Sequence, residues 1–219
     1  MSVAENIARI REALGQHAVT LVAVTKGAAM GQIEEAHRTG VTEFGESRVQ
    51  DAIEKMSTLP DWLMSHSHWH FIGHLQSNKV KQAVGRFALI HSVDSLKLAA
   101  EISRISSSKG ITQPILLQVK IAADPNKSGF TPDELKRDFA EISRLVNIEC
   151  RGLMTITPLE ATAKERVDCF NGLRLLRDEL AREHRVALPE LSMGMSNDWR
   201  QAIDCGATMV RIGSEIFRQ

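Results

Sequence analysis

Short apolar, β-branched runs alternate along this chain with longer stretches whose apolar residues recur at helical spacing, and the alternation continues to the last residues. Repeated strand and helix units produce such a pattern. Eight runs are candidate strands: Thr20 to Thr25, Glu43 to Gly45, His68 to Ile72, Ala88 to Val93, Ile115 to Ile121, Glu149 to Ile156, Glu190 to Met193 and Thr208 to Ile212. One intervening helix marks its own start, with Thr131 as N-cap, Pro132 at the first helical position and Glu134 completing a capping box. A short amphipathic helix from Met1 to Arg11 precedes the first strand. The pattern predicts an α/β fold, a TIM (β/α)8 barrel forming a single domain over residues 1–219 with an extra N-terminal helix. An open doubly wound sheet is the alternative.

Composition narrows the partners. The 27 lysines and arginines balance 27 aspartates and glutamates, so no overall field draws in nucleic acid or an anionic membrane. Cys150, Cys169 and Cys205 are odd in number and widely spaced, which argues against a disulfide framework and for a reducing, cytoplasmic setting. The N-terminus lacks the basic-then-apolar order of a signal peptide, and no run approaches the roughly 18 apolar residues of a membrane helix. The chain is therefore expected to be soluble and unprocessed. Without a long apolar stripe beyond those that cover the sheet, it is expected to be a monomer.

In a barrel of this kind chemistry sits at the C-terminal end of the strands, and phosphate groups are commonly held by the loops after strands 7 and 8. The seventh strand runs into Ser192-Met193-Gly194-Met195-Ser196-Asn197-Asp198, and the eighth into Gly213-Ser214-Glu215. Gly194 and Gly213 would let backbone approach a ligand, and Ser196 and Ser214 offer hydroxyls beside fresh helix N-termini. The plain alternative is that these serines cap helices and the glycines make turns.

The first strand ends in Lys26, in phase with Val22 and Val24. An inward lysine near apolar walls loses hydration, and its neutral amine can form a Schiff base with an aldehyde; a lysine that snorkels to solvent is the alternative. In the eighth strand Arg211 points inward with Met209 and Gly213, while Val210 and Ile212 face the outer helices. Barrel closure sets this strand beside the first, so two cations face one mouth, a conflict that an anionic aldehyde ligand would resolve; an internal salt bridge could equally answer Arg211. The run Ser65-His66-Ser67-His68-Trp69-His70 superficially suggests a metal site, but the carboxylate or cysteine partners and the ligand spacing are missing, so no metal is expected.

Together these segments resemble the pyridoxal-phosphate homeostasis family, whose barrel is that of alanine racemase without its second domain. The matching stretches run in order through most of the chain: Val22-Ala23-Val24-Thr25-Lys26, Phe44-Gly45-Glu46-Ser47-Arg48-Val49-Gln50, His70-Phe71-Ile72-Gly73-His74-Leu75-Gln76-Ser77-Asn78-Lys79, Ile90-His91-Ser92-Val93-Asp94-Ser95, Leu117-Gln118-Val119, Lys127-Ser128-Gly129, Gly152-Leu153-Met154-Thr155-Ile156, Leu191-Ser192-Met193-Gly194-Met195-Ser196 and Val210-Arg211-Ile212-Gly213. The resemblance implies a barrel of pyridoxal-phosphate fold type III that carries pyridoxal 5′-phosphate (PLP) on Lys26. It also implies that Arg211 faces the pyridine nitrogen, that Ser196, Gly213 and Ser214 hold the phosphate, and that Met195 and Ser47 line the site. Two positions depart from the family pattern: Ser47 stands where Asn is usual, and Gly27 where Thr is common after the lysine.

An arginine opposite the ring nitrogen donates a hydrogen bond but, with a pKa above about 12, lends no proton, which disfavours a developed carbanion. The chain has no tyrosine to act as the second base of a racemase. The first expectation is accordingly a PLP-binding protein without substantial turnover, which buffers the cofactor or delivers it to PLP-dependent apo-enzymes. A weak PLP-dependent amino-acid racemase or lyase is the alternative of enzyme class, and a sugar-phosphate enzyme that uses Lys26 without a chromophore is the third.

Overall fold

A computed structural model describes residues 1–122 and 128–218; Lys127 of the family-like motif lies outside the described residues. Eight parallel strands form a closed barrel in sequence order: β1 Thr20–Val24, β2 Glu43–Glu46, β3 His68–Phe71, β4 Leu89–Val93, β5 Gln113–Gln118, β6 Ile148–Met154, β7 Glu190–Met195 and β8 Met209–Ile212. The helices are α1 Val3–Leu14, α2 Met30–Arg38, α3 Val49–Thr58, α4 Asp61–Met64, α5 Val80–Ala83, α6 Leu96–Lys109, α7 Pro132–Ile142, α8 Ala163–His184, α9 Trp199–Asp204 and α10 Ser214–Phe217.

Closure removes the open-sheet alternative. β1 pairs with β8 in the register Thr20 with Met209, Leu21 with Val210, Val22 with Arg211 and Ala23 with Ile212. All eight expected strands form, with shifted ends. The largest shift is in β5, which stops at Gln118 rather than Ile121, because the chain beyond it pairs with a returning segment: Phe130 N donates to Gln118 O at 2.9 Å and Lys120 N to Phe130 O at 2.8 Å. β1 ends one residue early and β7 runs two residues further than the apolar pattern suggests.

Helix ends follow sequence chemistry. α7 begins with the expected capping box of Thr131 and Glu134, with Pro132 at its start. α1 has a second such box, Ser2 with Glu5, and runs to Leu14 rather than Arg11. It is tied to both ends of the barrel sequence: Ala4 N donates to Glu35 Oε1 at 2.9 Å, and Asn6 Nδ2 to the Ile216 carbonyl at 3.0 Å. No helix of the described residues is long and apolar enough to cross a membrane.

Strand alternation divides the apolar residues into two populations. Phe44, Phe71, Ile90, Leu153, Leu191 and Val210 pack outward beneath the helices as part of the main core. Leu89, Leu116, Met154 and Met209 form a separate cluster inside the barrel, with Ile156 against it. Leu116 is fully buried in that inner layer, so Leu116→Ala is expected to lower unfolding stability by about 2–5 kcal/mol, whereas Val146→Ala at an exposed position changes it by less than about 0.5 kcal/mol. Urea denaturation of the two variants checks this; equal losses would contradict a packed interior.

Candidate functional site

All seven residues singled out from the sequence, Lys26, Ser47, Met195, Ser196, Arg211, Gly213 and Ser214, line one cavity of about 570 Å³. It opens at the C-terminal ends of the strands, where the apolar side chains Val24, Ile72, Ile156 and Leu159 contribute to the wall. Sequence reasoning missed Arg166, Asp198 and Arg218, which line the same cavity from helices or loops that carry no strand periodicity.

Lys26 is not buried as expected. β1 ends at Val24, and Lys26 occupies a turn with an exposed side chain, so the surrounding protein does not strip its hydration. The turn is held from beneath. Thr25 donates through N to the Gly45 carbonyl at 3.0 Å and through Oγ1 to Glu46 Oε1 at 2.6 Å. Lys55 pairs with Glu46 and donates to the Thr25 carbonyl at 2.6 Å. Gly27 follows at φ +76, a conformation that the threonine common in the family adopts poorly, with open space around the missing side chain. The departure at position 27 therefore suits the turn.

Arg211 lies inside the barrel and is 3% exposed. Its Nη1 donates to Ser192 Oγ at 2.5 Å and its Nη2 to the Thr155 carbonyl at 2.9 Å. Among the described residues it makes no ion pair, which removes the salt-bridge alternative. Burial lowers its pKa to about 10, an effect that the charge of Asp198 partly opposes. The expected crowding with Lys26 is relieved by the fold, since Arg211 is level with Val22 while Lys26 stands beyond the strand end.

The loops after β7 and β8 are joined to one another. Asp198 accepts from Met195 N at 2.7 Å and from Thr157 Oγ1 at 2.6 Å, Trp199 Nε1 donates to Glu215 Oε2 at 2.8 Å, and Glu215 N donates to Ser196 Oγ at 3.4 Å. Gly194 answers a different need from the one expected. At φ +91, a Cβ there would stand 2.7 Å from Ala202 Cβ and 2.8 Å from Trp199 Cα, so the glycine admits α9 rather than a ligand. Gly213 does line the cavity, against the Val24 backbone. A Cβ on Gly73 would meet the Ser47 carbonyl oxygen at 2.0 Å, so β3 and its following loop press directly on the backbone at Ser47.

The three histidines of the run do not share a single partner. His66 Nδ1 donates to the Trp62 carbonyl (2.8 Å), while His68 and His70 share the Glu43 carboxylate at 2.8 and 2.7 Å. Among the described residues no group of histidine, cysteine, aspartate and glutamate could hold a metal. Sequence reasoning gave no role to His91, which is fully buried between His70 and Ser192 at 2.8 Å from each.

Comparison with known proteins adds identity to this geometry. The family profile for the alanine racemase N-terminal domain matches residues 1–218. The pyridoxal phosphate homeostasis protein of Synechocystis is 43% identical over 199 residues, covering 91% of this chain and 90% of its own. The chain belongs to the pyridoxal phosphate homeostasis protein family. Two solved structures of the family member PipY from Synechococcus elongatus superpose on it. The one without PLP has a TM-score of 0.94 at 42% identity and covers 99% of this chain and 100% of its own; the one with PLP bound has a TM-score of 0.90 at 40% identity with the same coverage.

Within this family barrel burial pushes the His91 pKa well below its ordinary value of 6.5, and the charge of Arg211 adds to the effect. The unfolded chain takes up a proton on this residue as pH falls past 6.5, whereas the folded chain resists it, so acidification costs stability. Between about pH 7.5 and about pH 5.5 the melting temperature of the wild type is expected to fall more steeply than that of His91→Gln. Parallel pH profiles would contradict a neutral, buried His91.

Proposed function

We propose that this chain holds pyridoxal 5′-phosphate covalently through the Lys26 amine and serves PLP homeostasis as a carrier, retaining the cofactor and releasing it to PLP-dependent apo-enzymes without turning over a substrate of its own. The observation that carries this reading is one cavity shared by an accessible amine, Lys26, and a buried guanidinium, Arg211, that no carboxylate neutralises. Only Ser192 and Thr155 accept from Arg211 among the described residues, which leaves N–H donors for a ligand that presents a hydrogen-bond acceptor.

PLP supplies an aldehyde that captures amines and a pyridine ring that withdraws electrons most strongly when its nitrogen is protonated. The residues of this chain favour the first property over the second. The exposed Lys26 amine is available for capture. Arg211 donates a hydrogen bond to the ring nitrogen but has no proton to give up at neutral pH, even with its pKa lowered to about 10. Ser196, Ser214 and the Gly213 backbone would hold the phosphate, Met195 and Ser47 would flank the ligand, and Ile72 and Ile156 give the cavity an apolar wall. Asp198, the nearby carboxylate, is occupied by Met195 N and Thr157. With no tyrosine in the chain, the second base of a racemase is absent. The same reading has the protein acting as a single-domain monomer in the cytoplasm, where the apo-enzymes that need PLP are made.

The unaltered protein is expected to show visible absorption when loaded with PLP, to lose it on borohydride reduction, and to yield a reduced peptide carrying the adduct at Lys26; Lys26→Ala yields none. An adduct at another lysine, with Lys26→Ala unchanged, would remove the central assignment. Incubation of the loaded protein with L- or D-alanine is expected to give no enantiomer above the level produced by free PLP. Sustained racemisation would replace the carrier with a weak enzyme.

A further inference from the structure

Five residues from five strands form an unbroken hydrogen-bonded chain across the inside of the barrel. Arg211 Nη1 meets Ser192 Oγ at 2.5 Å, Ser192 Oγ meets His91 Nδ1 at 2.8 Å, His91 Nε2 meets His70 Nδ1 at 2.8 Å, and His70 Nε2 meets Glu43 Oε2 at 2.7 Å. Ser192 and His91 are fully buried, and His70 and Arg211 nearly so. The two ends reach different cavities: Arg211 lines the one with Lys26, and Glu43 lines a separate one of about 510 Å³ at the other end of the strands, beside Arg11 and His17.

The direction of donation follows from its ends. A guanidinium only donates, so Ser192 Oγ receives from Arg211 and passes its own hydrogen to His91 Nδ1. His91 then carries its proton on Nε2 and donates to His70 Nδ1, and His70 carries its proton on Nε2 and donates to Glu43. The carboxylate can receive: burial raises its pKa, but the hydrogen bonds from His70 and His68 outweigh that and hold it at about 2. Every link is then one donor facing one acceptor, with both imidazoles neutral. If the chain ran the other way, Ser192 would receive from both sides and its own hydrogen would be left without an acceptor among the described residues of the buried interior.

We infer that Glu43, His70 and His91 are positioning residues for the ligand: the Glu43 carboxylate at one end of the barrel fixes the tautomers of both histidines, and through Ser192 that fixes which N–H groups Arg211 presents to the cavity at the other end. The inference rests on the reading that Arg211 faces the ligand ring. It makes a residue outside the ligand cavity a determinant of how long the ligand stays. Without an acceptor at position 43, the His70 proton has no reason to remain on Nε2. Once it moves to Nδ1, His91 reverses and competes with Arg211 for the Ser192 oxygen.

The test begins on ligand-free protein labelled with 15N in histidine. At neutral pH both His70 and His91 are expected as Nε2–H tautomers with bare Nδ1. In Glu43→Ala the His91 signals are expected to shift toward the Nδ1–H form although the two residues do not touch. PLP is expected to leave this variant about fivefold faster or more while the borohydride adduct still forms on Lys26, a change equivalent to the loss of one ordinary hydrogen bond. Glu43→Gln, which keeps an acceptor oxygen, is expected to restore the His91 tautomer and most of the slow release. A wild-type His91 protonated on Nδ1, or a Glu43→Ala protein with unchanged tautomers and release, overturns the inference. Absence of a Lys26 adduct in the unaltered protein overturns instead the reading of the site, and the tautomer result on ligand-free protein still decides whether the chain runs as described.

Discussion

The pairing of β1 with β8 is the contact on which the arrangement depends. In an open sheet these strands would be opposite edges, and the turn after the first could not share a cavity with the interior of the last. Closure places Val22 level with Arg211, so a side chain from residue 211 and one from residue 26 open onto the same mouth although 185 positions separate them. The N-terminal helix reinforces this junction by reaching α2 through Glu35 and α10 through the Ile216 carbonyl. Barrel closure and site assembly are thus one event, and a fault in either strand pairing would remove both.

Burying an arginine in such a barrel creates a problem that the interior has to answer. A desolvated guanidinium without an ion pair is costly unless its donors are matched, and the matching groups here are a serine hydroxyl and a backbone carbonyl rather than a carboxylate. That choice has a chemical consequence. A carboxylate in contact would cancel the charge and occupy the donors, leaving little for a ligand; neutral acceptors satisfy part of the guanidinium and leave the rest directed at the cavity. The interior is accordingly layered, with a polar set of Glu43, His70, His91, Ser192 and Arg211 beside an apolar set of Leu89, Leu116, Met154 and Met209. Both sets come from the same alternation: Leu89 and His91 share one face of β4, and Met209 and Arg211 share one face of β8.

That alternation explains how much of the protein could be read in advance. The number of strands, their order and the inward phase of Arg211 depend on period two and on short-range propensity, both visible in sequence. The capping box at Thr131 is likewise local. Lys26 shares the cavity with Val24, but the alternation that placed it inside does not reach it, because the strand ends before it and Thr25 and Glu46 make contacts that involve Lys55 on a different element. The end of β5 moved for a similar reason, since its continuation is claimed by Phe130. His91 carried no signal of its contacts, because its partners come from β3 and β7, the latter 101 positions away, and periodicity reports only that a residue is inside, not whom it meets. Gly194 was legible as a residue requiring freedom, and misread as to which neighbour required it.

The difference between a carrier and an enzyme on this scaffold comes down to how strongly the protein pulls electrons from the ligand ring and how firmly it holds the ligand. These are separable. Electron withdrawal calls for a proton on the ring nitrogen, which an arginine does not provide; retention calls for a well-oriented donor, which an arginine provides as long as its own geometry is fixed. A chain of neutral imidazoles ending on a carboxylate fixes that geometry without adding net charge beside the ring, because the only full negative charge in it sits at Glu43, on the far side of the barrel from the cavity. A carboxylate next to the ring nitrogen would favour its protonation; under the proposed reading Glu43, at the end of the hydrogen-bonded chain, would orient the donor instead. On the proposed reading, the separation of Glu43 from the cavity that Arg211 lines would suit the barrel to holding a reactive cofactor rather than activating it.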